Sequence, residues 1–117
     1  MTFITISIDR EQLSLLSQFL VAQFPGCTIH QSCDPIRVMK YLSDQKVDAV
    51  FADTDTIVYM TDWLTRHKIN TSVWILCRQD EVLPKEIPDC YGILSYPISK
   101  EKIRNALKKT PYYDIIK

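Results

Sequence analysis

Glycine is nearly missing from this chain: Gly26 and Gly92 are the only two in 117 residues. A loop that cradles phosphate needs several glycines so that backbone N–H groups can close on the anion, and two isolated ones cannot build it. Histidine is as scarce. His30 and His67 have no acid or nucleophile at motif spacing. The four cysteines, Cys27, Cys33, Cys77 and Cys90, form no C-x-x-C pair, so the ligand spacing of a zinc site is lacking. They read as reduced, mostly buried thiols. Ser7, Ser32 and Ser95 lie outside any G-x-S-x-G turn. No run approaches the ~20 apolar residues of a membrane span, and Met1-Thr2-Phe3-Ile4 places no basic region ahead of an apolar segment. Lys and Arg number 14, as do Asp and Glu, so net charge is zero. That excludes a nucleic-acid or anionic-membrane surface spread over the whole domain. The expectation is a cytoplasmic protein that is not an enzyme, with no membrane contact and no direct nucleic-acid binding.

What is present is a scaffold. A hydrophobic fraction of 46% and a charged fraction of 24% suit a single globular domain over 1–117, with 110–117 as a tail or linker. The stretch Asp48-Ala49-Val50-Phe51-Ala52-Asp53 sets four apolar residues between two acids. It reads as a buried strand of a parallel sheet, with Asp53 at the end where open α/β sheets place their chemistry.

Residues 3–8 alternate Ile with Thr or Ser and predict a first strand. Leu13, Leu16, Leu20 and Phe24 recur at helical spacing, with Asp9 as the cap and Pro25-Gly26 as the stop. Residues 27–32 form a half-polar strand suited to a sheet edge. Asp34-Pro35 then opens a helix to about Gln45. A third helix is expected from Ile57 to His67, and further buried strands at 72–77 and 90–95. Two prolines, Pro84 and Pro88, leave room for at most one helical turn in 78–89. Ser99 caps a last helix to about Lys109. Strands alternating with helices predict an α/β three-layer sandwich, flavodoxin-like, with five parallel strands in the order 2-1-3-4-5 and the fourth helix short or missing.

This layout resembles the receiver domain of bacterial response regulators, the CheY-like fold, over nearly the whole chain. The family carries an acidic pair after strand one, a phosphoacceptor aspartate ending strand three, a Thr or Ser ending strand four and Lys-Pro ending strand five. Those positions fall here on Asp9-Arg10, Asp53, Cys77 and Tyr96-Pro97, and Asp9 lies 44 residues before Asp53. The resemblance implies Asp53 as the phosphoacceptor position, Asp9 and Asp55 as the acidic pocket, and a cis peptide before Pro97. If phosphorylation is retained, it also implies Mg²⁺ on Asp9 and Asp53.

The departures define the expectation further. Arg10 replaces the second acid, Cys77 the hydroxyl and Tyr96 the lysine. A thiol is a poor donor in place of a hydroxyl, and a neutral phenol is weaker than an ammonium. Two readings of Arg10 stand open: it pairs with Asp53 in place of the metal, or it faces solvent. The function expected is a receiver-like regulatory module of two-component signalling, a pseudo-receiver with phosphorylation lost or altered, acting through protein contacts. The alternatives are an active phosphoacceptor using Asp53 with Mg²⁺, and the N-terminal receiver part of a DNA-binding transcription regulator. Aromatic and basic residues across 78–109 mark a face for a protein partner or a homodimer.

Overall fold

The computed structural model describes residues 1–7, 10–67, 71–78, 80–88, 91–96 and 99–107. Nine elements follow one another among them: β1 (Thr2–Ile6), α1 (Arg10–Gln23), β2 (Thr28–Ser32), α2 (Pro35–Asp44), β3 (Ala49–Asp53), α3 (Thr54–Arg66), β4 (Ser72–Arg78), β5 (Gly92–Tyr96) and α4 (Lys100–Leu107). The strands form one parallel sheet in the order β2-β1-β3-β4-β5, as the alternation predicts.

Local chemistry sets the boundaries. Gly26 takes the positive φ of 85° that closes the turn after α1. The Asp34 carboxylate accepts from the Ile36 N–H at 3.0 Å, and Pro35 follows at the first helical position. Ser99 Oγ accepts from the Lys102 N–H at 3.2 Å and caps α4. Between β4 and β5 the described residues form short turns and irregular backbone, and none of them is helical. The expected cap Asp9, the Cys90 thiol, Pro97 and the tail 110–117 lie outside the described residues.

The sheet divides two cores. On one face Phe3, Phe51, Trp74 and Leu94 pack with Leu16 and Leu20 of the first helix, Phe24 just after it and Ile103 of the last helix. On the other face Ile4, Ile6, Val50, Ala52, Ile75 and Cys77 pack with Val38, Leu42, Ile57, Met60 and Leu64. Aromatic rings tie the first core together. Phe3 meets Phe24 edge-on at 5.4 Å, and Phe51 stacks on Trp74 at 6.4 Å. Trp74 in turn lies over Gly92, its register partner on β5, where a Cβ would run into the indole ring.

Two expectations need correction. The helix after β3 begins at Thr54 rather than Ile57, because the Asp53 side chain caps it. The thiols are less buried than composition suggests: Cys77 is buried, Cys27 is half-buried and Cys33 is exposed. Cys33 follows the last residue of the edge strand β2, where only one neighbouring strand covers it.

Candidate functional site

The residues of β3 from Ala49 to Ala52 are fully buried, and the strand surfaces only at its two acids. The acids do different work. Asp48, just before the strand, turns its carboxylate back and accepts from the Thr2 N–H at 2.8 Å. Asp53 ends the strand at the carboxyl edge of the sheet, half-buried.

The Asp53 carboxylate is held from two sides. Its Oδ1 accepts from the Thr56 N–H at 3.0 Å, which makes it the N-cap of α3. Its Oδ2 accepts from the Ser7 hydroxyl at 2.9 Å. Register explains the second contact. Ile6 pairs with Ala52, so the next residue along each strand brings Ser7 opposite Asp53. Ser7 is 2% exposed. Thr54 is also buried, and its Oγ1 has no hydrogen-bond partner among the described residues.

Arg10, the first residue of α1, is exposed. Among the described residues no ion pair joins it to Asp53. It lines an open groove of about 560 Å³ with Ser7, Gln31, Ser32, Asp34 and Arg37. Asp55 sits in the first turn of α3 and is exposed. Cys77 lies on β4 opposite Ser95 and is 5% exposed within the core. Burial pushes its thiol pKa up, and nearby Glu81 adds to the effect. The group is thus a protonated thiol and a weak donor. Tyr96 ends β5 opposite Arg78, while Asp9 and Pro97 fall outside the described residues.

Sequence reasoning missed two residues here. Ser7 looked like the polar half of an alternating strand, and only the cross-strand register could have singled it out. Lys102 looked like one charge of a basic helix. Its ammonium instead donates to the Ser95 carbonyl at 3.2 Å and the Ser95 hydroxyl at 3.4 Å, at the carboxyl end of β5. The two histidines have structural partners. His30 Nε2 lies 3.0 Å from the Tyr41 hydroxyl, and His67 Nδ1 lies 2.9 Å from the Trp63 carbonyl at the end of α3.

Magnesium takes octahedral oxygen ligands. Among the described residues no three His, Cys, Asp or Glu side chains come together. Both oxygens of Asp53 face hydrogen-bond donors. Within the described residues Asp53 alone does not make a magnesium site, and Asp9, its expected partner on the ion, lies outside them.

A second concavity, about 420 Å³, lies beside the connection between β4 and β5. Ile75, Leu83, Pro84, Ile87, Pro88 and Tyr91 line it. Val82, 89% exposed, and Ile93, 51% exposed, add apolar surface along this connection and β5. Among the described residues, no helix is long and apolar enough to cross a membrane.

The strand order, with an acid ending the third strand, defines the class of fold: the chain has the CheY-like, flavodoxin-like fold. It is similar to chemotaxis protein CheY4 of Vibrio cholerae, with TM-score 0.74 and 13% identity, covering 92% of this chain and 96% of that one. It is similar to the signal receiver domain of a putative LuxO repressor protein from Vibrio parahaemolyticus, with TM-score 0.70 and 16% identity, over 99% and 96% of the two chains. The Saccharomyces cerevisiae Ssk1 receiver domain, solved with the histidine phosphotransfer protein Ypd1, belongs to another similar structure. There the TM-score is 0.70 at 8% identity, over 92% of this chain and 87% of that one. No protein-family model matches the sequence, and no curated protein matches it.

Proposed function

We propose that this chain is a receiver-like regulatory module of two-component signalling in the bacterial cytoplasm. It acts through protein–protein contact rather than catalysis, and phosphorylation at Asp53 is lost or altered. The observation that carries this reading is the engaged Asp53 carboxylate, one oxygen on the Thr56 N–H and the other on the Ser7 hydroxyl. Phosphoryl transfer to a carboxylate needs a nucleophilic oxygen aimed at phosphorus and a cation to neutralise the incoming oxygens. Here an exposed guanidinium and a buried thiol stand where the resemblance calls for an acid and a hydroxyl.

The contact surface of this reading is the face built from 78–109. Its apolar concavity and the exposed Val82 and Ile93 suit a protein partner, as the Ssk1 receiver has in Ypd1. Incubation with acetyl phosphate and Mg²⁺, followed by intact mass, tests the site. No mass gain is expected in the wild type. A gain of one phosphoryl group that disappears in D53N would overturn the reading and establish an active acceptor. One observation favours that second reading: the Lys102 ammonium reaches the end of β5, the strand where the resemblance expects a lysine.

A further inference from the structure

We propose that Ser7 is the positioning residue that keeps Asp53 from taking up a divalent cation. Its hydroxyl holds Oδ2 and fixes the carboxylate in the helix-capping pose. This rests on the reading of the chain as a receiver with phosphorylation lost or altered, and it names the cause within the described site.

Three observations carry it. Ser7 is 2% exposed, so its position within the fold is tightly defined. The bond to Oδ2 is 2.9 Å long and joins residues 46 apart in sequence, so the parallel register builds it. Oδ1 accepts from the Thr56 N–H at 3.0 Å, so donors on two elements fix the carboxylate plane. An O–H donor on a carboxylate makes a charge-assisted hydrogen bond, roughly twice as strong as one between neutral groups. A cation approaching Oδ2 meets the hydroxyl proton. It must break that bond or turn the hydroxyl aside. Ser7 also lines the open groove that carries Arg10.

The geometry supplies a rival with the opposite sign. Adjacent oxygen ligands on an octahedral cation with bonds of ~2.1 Å lie about 3 Å apart. The Ser7–Asp53 spacing of 2.9 Å would therefore also suit two ligands of one ion. Removing the hydroxyl distinguishes the two, because a competitor's loss tightens binding and a ligand's loss weakens it.

The experiment uses the whole chain as wild type, S7A and S7T. Mg²⁺ is titrated while the Thr56 amide is followed by ¹H–¹⁵N NMR, and urea midpoints check that each variant folds. The Mg²⁺ Kd in S7A is expected to fall about tenfold, the equilibrium equivalent of one lost hydrogen bond to a charged group. S7T, which keeps the hydroxyl, is expected to stay near wild type. An unchanged or raised Kd in S7A overturns the proposal, as does saturable binding in none of the proteins or an S7T value equal to that of S7A. If S7T does not fold, the S7A comparison alone decides. Acetyl phosphate treatment of the wild type tests the underlying reading separately. Phosphorylated wild type overturns that reading, whereas unphosphorylated wild type with an unchanged S7A Kd overturns only the role of Ser7.

Discussion

Replacing Gly92 with alanine should destabilise the protein by roughly 2 kcal/mol, against the ordinary direction of that change. In a strand interior, alanine is normally more favourable than glycine by roughly 0.5–1 kcal/mol, because glycine loses more conformational freedom on folding. Here the new Cβ would collide with the Trp74 ring, which is only 8% exposed and stacks on the buried Phe51. The indole has little room to retreat. Relief requires either a shift of β5 or displacement of the ring from its seat. Overpacking of this kind costs about 1–3 kcal/mol. Independently, exposing half of a ring that buries ~200 Å² costs about 2.5 kcal/mol at ~25 cal/mol per Å². Offset by the glycine term, the two routes converge on a loss near 2 kcal/mol. For a domain of this size that is a fall in Tm of roughly 10 °C. Urea unfolding followed by tryptophan emission measures it. G92A combined with W74L should lose less than the two single changes together, because the smaller side chain leaves space for the methyl. A G92A protein as stable as wild type, or additive behaviour in the double variant, would refute the packing argument.

Further expectations concern the caps and the thiols. D34A should lower stability by about 1 kcal/mol through loss of the acceptor for the Ile36 N–H, measurable by urea denaturation. At Asp53, D53A should cost about 1–2 kcal/mol and D53N clearly less, since asparagine caps a helix about as well as aspartate. Equal losses in D53A and D53N would show that charge rather than capping matters there. Burial raises the thiol pKa of Cys77, and likewise of Cys27, above the ordinary 9.0. The folded state therefore binds these protons more tightly than the unfolded state. Stability is unaffected below about pH 9 and falls as pH rises from there through the raised folded values. C77A should flatten that alkaline decline in pH-dependent unfolding, and an unaltered slope would count against the buried-thiol assignment.

Much of the scaffold was legible because its signals are local. The spacing of Leu13, Leu16 and Leu20 marks one face of a helix, and those residues are buried. Asp34-Pro35 starts a helix in the sequence and in the structure. The alternation of element types carried the sheet order, because parallel strands need crossovers. The start of α3 was not legible for a physical reason. Thr54-Asp55-Thr56 combines β-branched and short polar residues, which are poor helix formers in isolation. The Asp53 cap and burial of Thr54 override that preference. The site was harder still. Ser7 gains its role through a contact across 46 residues, and Lys102 through the way α4 folds back on β5. Neither depends on a short-range pattern. Trp74 over Gly92 is a cross-strand pairing of the same kind, invisible until the register is known.

The two acids that flank β3 also have a dynamic consequence. Asp48 grips the Thr2 amide near one end of β1, and Asp53 grips the Ser7 hydroxyl beyond the other. Between them the two strands pair from Phe3–Ala49 to Ile6–Ala52. Sliding β1 along β3 would have to break both grips together with the ladder, so this pair should behave as one rigid rail under shear. Amide exchange would read that out at an unusual place. The Thr2 N–H, at the very head of the first strand where fraying is the rule, should exchange at a rate close to that of the sheet interior, and D48A should release it while leaving the amides of β4 as slow as before.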